Sequence, residues 1–341
     1  MARPTILDLA QAAGVSVSTV NRVLHDPAKV RETTRQAVFD AAVRTGFAGL
    51  GTIRNNLYKA RRKLRVGVLL LQRNRPFYDN LAAALTEAAA QAREADLAIR
   101  IDYQQDLSPD GTAAAMHLLA KASDALLVVS AEHPLVTRAI EDLHAAGTPV
   151  FALVSPLSAG CPLGYVGLDH WKVGRTAAWA FDRLLDGPGK IGILVGSHRY
   201  RNQETNEAGF RSYFREYPRG FDLLEPRYTY ERATIARELT ESLLRDHPDL
   251  AGLYISGGGI TGAVAALRDS GRGHEIAAVG YEMMDTTREA LRDGTLNFVI
   301  AHPIQSMARE AIAELVAACE PEALPPRAVT LPFELYTPEN I

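Results

Sequence analysis

Val17, Ser18, Asn21 and Arg22 fall on one side of a short predicted helix, and together they offer a methyl-bearing group, a hydroxyl, a carboxamide and a guanidinium. That set suits the base edges of a DNA major groove, where a guanidinium forks onto guanine O6 and N7 and an apolar group meets the thymine methyl. Arg22 is the candidate for the guanine contact, and Val17 and Ser18 face base edges. Ser16, Thr19 and Asn21 carry short polar groups of the kind that touch phosphates or orient the helix. Thr5 and His25, at the outer ends of the segment, complete the candidate DNA contacts.

Two helices must position these side chains. In TILDLAQAAGVSVSTVNRVL, Ile6, Leu9, Ala10 and Ala13 recur at i, i+3, i+4 and i+7, which gives a first helix with one apolar face. Gly14 supplies the left-handed exit and Ser16 the N-cap of a second helix running to about His25, with Val20, Val23 and Leu24 inward. The pattern is a helix-turn-helix, whose second helix enters the groove. Two packed amphipathic helices with no nucleic acid are the alternative. Charge favours DNA: twelve Lys and Arg stand against four Asp and Glu through Arg65, so the remainder holds 25 against 36 in a chain of net charge −3. A basic arm on an acidic body suits a polyanion. A third helix from about Glu32 to Thr45, with Val38, Ala41 and Ala42 apolar, closes the unit, its cap falling to Arg31 or Thr33. AGLGTIRNNLYKARRKL and the Arg65 that follows it carry six Lys and Arg from Arg54 to Arg65.

The 341 residues exceed one ordinary core, and 47% hydrophobic content is that of a globular protein. No apolar run approaches the roughly 18 residues of a membrane span, and no apolar signal core opens the chain, so a cytoplasmic protein without membrane association is expected. Cys161 and Cys319 lack C-x-x-C spacing and read as packing residues. From Leu64 onward apolar runs (RVGVLLL, LAIRIDY, DALLVVS, TPVFALVS, YVGLD, KIGILVG, LAGLYIS, EIAAVGY, NFVIAH) alternate with amphipathic helices. That alternation predicts an α/β fold of parallel sheets covered by helices, with ligands at the carboxyl ends of the strands.

The same architecture hosts enzymes, yet no G-x-G-x-x-G follows the first strand, and neither a Walker loop nor a G-x-S-x-G elbow occurs. The turn Ser256-Gly257-Gly258-Gly259 could cradle a phosphate on helix amides, or simply be a tight turn. Nothing asks for a cofactor, a metal or a catalytic residue. Arg73, Arg75, His198, Arg199 and Arg201 cluster in two loops that either recognise an anionic ligand or are solvated rim charges.

GVSVSTVNRVL, followed by Val30, Thr34, Arg35, Val38 and Ala41-Ala42, resembles the headpiece of LacI/GalR-family transcription regulators. SPLSAGCPLGYVGLDHWKVGR, then AAVGYE and NFVIAH, resembles the family's periplasmic-binding-protein-like core, and RPFYDNL its ribose-binding branch. The resemblance implies a three-helix headpiece at 1–48, a linker or hinge helix at 49–63 and a two-lobe effector and dimerisation domain at 64–341. Lobe one is placed at 65–186 plus 298–326 and lobe two at 187–297 plus 327–341. In the family a leucine of the hinge helix wedges into the minor groove, which makes Leu57 the candidate here; a solvated basic linker is the alternative. The implied ligand is a sugar or sugar derivative, held by the aromatic pair Phe77 and Tyr78, by Asp169, and by Arg75, Ser130, Arg201, Asn206, Ser256, Glu282 and His302. The implied protein is a homodimeric repressor of operator DNA, dimeric rather than tetrameric because no leucine heptads follow YTPENI. A sugar-binding protein or a sugar-acting enzyme without a regulatory role is the competing expectation.

Overall fold

The computed structural model describes residues 4–59, 62–73, 75–104, 106–320 and 322–341. Its N-terminal unit holds four helices, α1 (Ile6–Ala13), α2 (Val17–His25), α3 (Glu32–Thr45) and α4 (Leu50–Lys59). Thr5 and Asp8 form a capping box on α1: Asp8 N donates to Thr5 Oγ1 at 3.3 Å and Thr5 N to Asp8 Oδ2 at 2.7 Å. Gly14 exits α1 at φ 66°, a left-handed turn that a residue without a Cβ takes freely. Ser16 caps α2 by accepting from Thr19 N. Arg31 stands at the N-cap of α3 without a side-chain hydrogen bond, while the Arg35 guanidinium donates to Pro27 O at 3.0 Å.

These helices share one core, in which Leu9, Val20, Val38, Ala41 and Ile53 are fully buried. Ile53 belongs to α4, so the linker helix is packed into this unit rather than running free of it. Asn56, one turn on, donates through Nδ2 to Val23 O at 3.2 Å and to Leu24 O at 2.5 Å. Those carbonyls lie in the last turn of α2, where a helix has no backbone donors of its own to offer.

From Arg62 the described residues form two sheets. The strands are β1 (Arg62–Leu70), β2 (Ala95–Tyr103), β3 (Ala125–Val128), β4 (Val150–Leu153), β5 (Gly164–Leu168), β6 (Lys190–Val195), β7 (Asp222–Leu223), β8 (Arg227–Tyr228), β9 (Leu250–Ile255), β10 (Ala277–Tyr281), β11 (Phe298–Ala301), β12 (Ala328–Leu331) and β13 (Glu334–Tyr336). The helices between them are α5 (Pro76–Gln91), α6 (Pro109–Ala120), α7 (Pro134–Ala145), α8 (His170–Leu184), α9 (Arg201–Glu216), α10 (Ala233–Asp246), α11 (Ile260–Asp269), α12 (Asp285–Arg292) and α13 (Ile304–Ala318). The first sheet runs β12-β5-β4-β3-β1-β2 and the second β13-β11-β10-β9-β6-β7, with β8 beside β6. Strands β3, β4, β10 and β11 are buried at every position, as helices on both faces require.

The expected lobe boundaries need correcting. Helix α8 packs on the second sheet, since Val173, Ala177 and Phe181 share a core with Ile191 and Tyr254. Strand β11 pairs with β10 in that sheet, Val279 opposite Phe298, whereas β12 pairs with β5 in the first, Ala328 opposite Tyr165. The chain therefore passes between the layers at Asp169–His170, at His302–Pro303 and between β12 and β13. Apolar runs locate strands but not their neighbours: α8 and β11, expected in lobe one, lie with the second sheet, and β12, expected in lobe two, lies with the first. Among the described residues no helix is long and apolar enough to cross a membrane.

Candidate functional site

The first candidate surface is the outward side of α2. Val17 is 39% exposed, and Ser18, Asn21, Arg22 and His25 are exposed beside it, while Val20 and Val23 anchor the opposite side. Ser16 Oγ lies 2.8 Å from both Ser18 Oγ and Thr19 Oγ1, so one hydroxyl cluster orients the N-terminal turn. The Thr5 hydroxyl donates to Asp8 Oδ2 at 2.7 Å, which fixes it at the start of α1. The Leu57 side chain lies outside the described residues.

The second is a cavity of about 550 Å³ in the two-sheet unit. Its walls are loops that follow the carboxyl ends of β1, β4, β6, β8, β9 and β10. They supply Arg75, Phe77 and Tyr78, then Val154, Asn202 and Gln203, Glu231 to Thr234, Ser256 to Thr261, and Tyr281, Glu282 and Met284. Phe77 and Tyr78 stand edge to face, centroids 5.1 Å apart. Burial, and next the charge of Glu231, drive the Tyr78 phenol well above its ordinary pKa, so it is a neutral donor. Among the described residues, four other than glycine have positive φ: Val154 (65°), Tyr230 (51°), Glu231 (61°) and Glu282 (71°). Three of these line the cavity and the fourth precedes Glu231. Such backbone costs of order 1–3 kcal/mol per residue and gathers where a site over-determines it.

Polar groups converge from both layers. Arg75 Nη1 donates to Glu231 Oε2 at 3.3 Å, and Gln203 Nε2 donates to Glu231 Oε1 at 2.7 Å. Glu282 accepts from His302 N at 3.2 Å and lies 2.5 Å from His302 Nδ1. Behind this wall the His302 ring packs on Phe77 (5.6 Å), Tyr281 (5.7 Å) and His170 (6.1 Å). His302 Nε2 is buried there without a hydrogen-bond partner. His170 Nε2 lies 2.8 Å from Val154 O, and burial, then His302, push its pKa down to about 3, so this imidazole is neutral.

Of the ligand candidates read from sequence, the structure brings Arg75, Phe77, Tyr78, Ser256 and Glu282 to the cavity, with His302 behind Glu282. It does not bring Asp169, which caps α8 and pairs with Lys172 at 3.1 Å. Burial alone would raise the Asp169 pKa, but the Lys172 amide and ammonium outweigh it and hold the carboxylate ionised. Asn206 is wholly buried, its amide nitrogen donating to Asn202 O at 3.2 Å and His170 O at 2.9 Å. Ser130 donates to Ala131 O at 3.0 Å beside a separate crevice, and Arg201 donates to Ser158 Oγ at 2.7 Å. Glu231, Asn202 and Gln203 also line the cavity, and neither spacing nor apolar pattern in the sequence discloses them.

Residues 66–323 match the family described as periplasmic binding protein domain, and residues 5–48 match bacterial regulatory proteins, lacI family. The HTH-type transcriptional regulator GntR of Pseudomonas aeruginosa is 25% identical over 99% of this chain and 96% of its own length. The HTH-type transcriptional regulator GalR of Salmonella typhimurium is 27% identical over 92% of this chain and 89% of its own. A D-ribose/D-allose-binding protein of Pseudomonas aeruginosa is 24% identical over 64% of this chain and 72% of its own. Among solved structures, a solute-binding protein from Burkholderia graminis in complex with D-arabinose superposes with a TM-score of 0.75 at 19% identity, covering 82% of this chain and 97% of that one. That likeness establishes the two-layer fold.

Proposed function

Because this chain belongs to the lacI family of bacterial regulatory proteins, a helix-turn-helix joined to a periplasmic-binding-protein domain, we propose that it is a cytoplasmic homodimeric repressor whose hold on operator DNA is set by a small sugar or sugar derivative in the cavity. The observation that carries the effector reading is the cavity wall: an aromatic pair beside planar polar groups, on backbone strained at Val154, Glu231 and Glu282. Aromatic faces suit the C–H surface of a sugar, and carboxylates, amides and hydroxyls suit its hydroxyl groups.

Two headpieces related by the dimer axis read a pseudo-palindromic operator, with Arg22 on guanine, Val17 and Ser18 on base edges, and Leu57 in the minor groove. The effector acts through its unequal affinity for the DNA-bound and released forms, a coupling typically worth about 1–3 kcal/mol. The cavity fits that role because its walls come from both layers, so a bound molecule biases their spacing. The test is a thermal-shift screen of the full chain against neutral sugars, sugar alcohols, sugar acids and sugar phosphates, followed by DNA retention with each hit. A ligand at roughly 100 times its Kd adds about 2.7 kcal/mol. Stabilisation without any change in DNA binding would overturn the regulatory coupling, and chemical turnover of the hit would make the protein an enzyme.

A further inference from the structure

The Glu231 carboxylate sits where a ligand anion would sit. It reaches the cavity on two consecutive residues of positive φ, Tyr230 and Glu231, a costly backbone for side chains with a Cβ. Three donors converge on it: Arg75 Nη1 at 3.3 Å, Gln203 Nε2 at 2.7 Å and the Gly258 N–H at 3.4 Å. Two of them are themselves held. Arg75 Nη2 donates to Gln72 Oε1 at 2.8 Å, and Gln203 Oε1 accepts from Ser197 N at 2.9 Å. The walls leave room for a carboxylate only as glycine, since a Cβ at Gly196 would stand 1.7 Å from Glu231 Oε1 and one at Gly258 would stand 1.8 Å from Oε2. The Glu231 side chain is 15% exposed.

This is a complete carboxylate seat, a guanidinium, an amide and a backbone N–H in a glycine cradle, filled by the chain itself. Beyond Arg75 and Glu231, the charged residues lining the cavity are Arg232, which is exposed, and Glu282. Glu282 adds a second carboxylate to the cavity, while Arg201 is tied to Ser158 and Arg73 lies over the Tyr103 ring at 5.0 Å. We propose that Glu231 determines effector charge: by occupying the anion seat it excludes sugar acids and sugar phosphates and leaves neutral polyols as the accepted class. An incoming carboxylate meets Glu231 at close range with Arg75 already neutralised, whereas a hydroxyl can donate to the carboxylate. The proposal rests on the cavity being the effector site.

The test uses the full chain and a probe that needs no knowledge of the sugar. Glu231→Ala leaves the three donors and an empty space the size of a carboxylate. Roughly 100 mM acetate should then raise the variant's Tm by about 2–4 °C relative to chloride, with no such rise in the parent and none with acetamide. Glu231→Gln keeps the shape and removes the charge, so it guards against a variant that fails to fold. Its affinity for D-galacturonate should rise at least about tenfold over the parent's. Acetate acting equally on variant and parent, or a parent that binds D-galacturonate as tightly as D-galactose, would overturn the proposal. Acetate rescue with no neutral sugar bound would keep the seat and remove the effector reading, and sugar binding without acetate rescue would do the reverse.

Discussion

In the headpiece, the groups offered to a partner gather on one nine-residue helix and its N-cap, stand largely in solvent and, at the first turn, are aimed by hydrogen bonds made within three residues of themselves. In the cleft they come from segments after six strands, are for the most part partly or wholly buried, and are aimed by partners as distant in sequence as Arg75 and Glu231. The headpiece meets a rigid polyanion from outside, so its binding groups can remain hydrated until contact. The cleft encloses a small molecule, so each buried charge must be satisfied whether or not the ligand is present. Local order is therefore enough for the first surface, whereas the second depends on the whole two-layer core.

The largest expected effect tests whether the headpiece is as local as its recognition face. Ile53 lies on the helix after the three-helix unit yet is fully buried against it, so Ile53→Ala should cost about 2–5 kcal/mol of headpiece stability. Hydrogen exchange should show lost protection across α1 to α3, with sugar binding by the cleft unchanged. Unchanged protection would mean that α4 is merely a tether and that the helix-turn-helix stands alone.

Arg22→Ala comes next and sharpens the DNA side. Arg22 is exposed on the outward face of α2 and carries none of the helix packing, so stability should hold while operator affinity falls by about 1–3 kcal/mol with relaxed preference at one base pair. Competition binding against single-base operator variants measures this. An equal loss on every sequence would reassign Arg22 to a phosphate.

The two regions also differ in how far the sequence discloses them. The nine apolar runs all became strands and α3 spans the expected residues, because buried parallel strands and amphipathic helices write their environment into contiguous or periodic apolar positions. Burial of Ile53 was hidden, since one apolar residue in a basic stretch has no periodicity to announce it. In the cleft, strand ends located the wall but could not say which way a side chain turns. Asp169 turns to cap α8, Asn206 turns to backbone carbonyls, and Glu231 turns inward only because its backbone is left-handed. Backbone handedness at a non-glycine residue leaves almost no trace in composition.

The smallest effect concerns burial itself. His170 opens α8 where the chain first passes between layers, is 4% exposed, and its Nε2 lies within hydrogen-bond reach of the carbonyl of strained Val154. Its folded pKa of about 3 lies below the ordinary 6.5, chiefly through burial and next through His302. Below pH 6.5 the unfolded chain therefore takes up a proton that the folded chain refuses, and stability falls as pH falls toward 3. One unit of pH over that span is worth about 1.4 kcal/mol. Denaturant unfolding at about pH 7.5 and about pH 5.5 should thus show the parent losing about 1.4 kcal/mol more than His170→Gln, which keeps a donor for Val154 but has nothing to titrate. Equal losses in parent and His170→Gln would mean that water reaches His170 in solution, and the wall behind the cavity would then be as open as the surface of the headpiece.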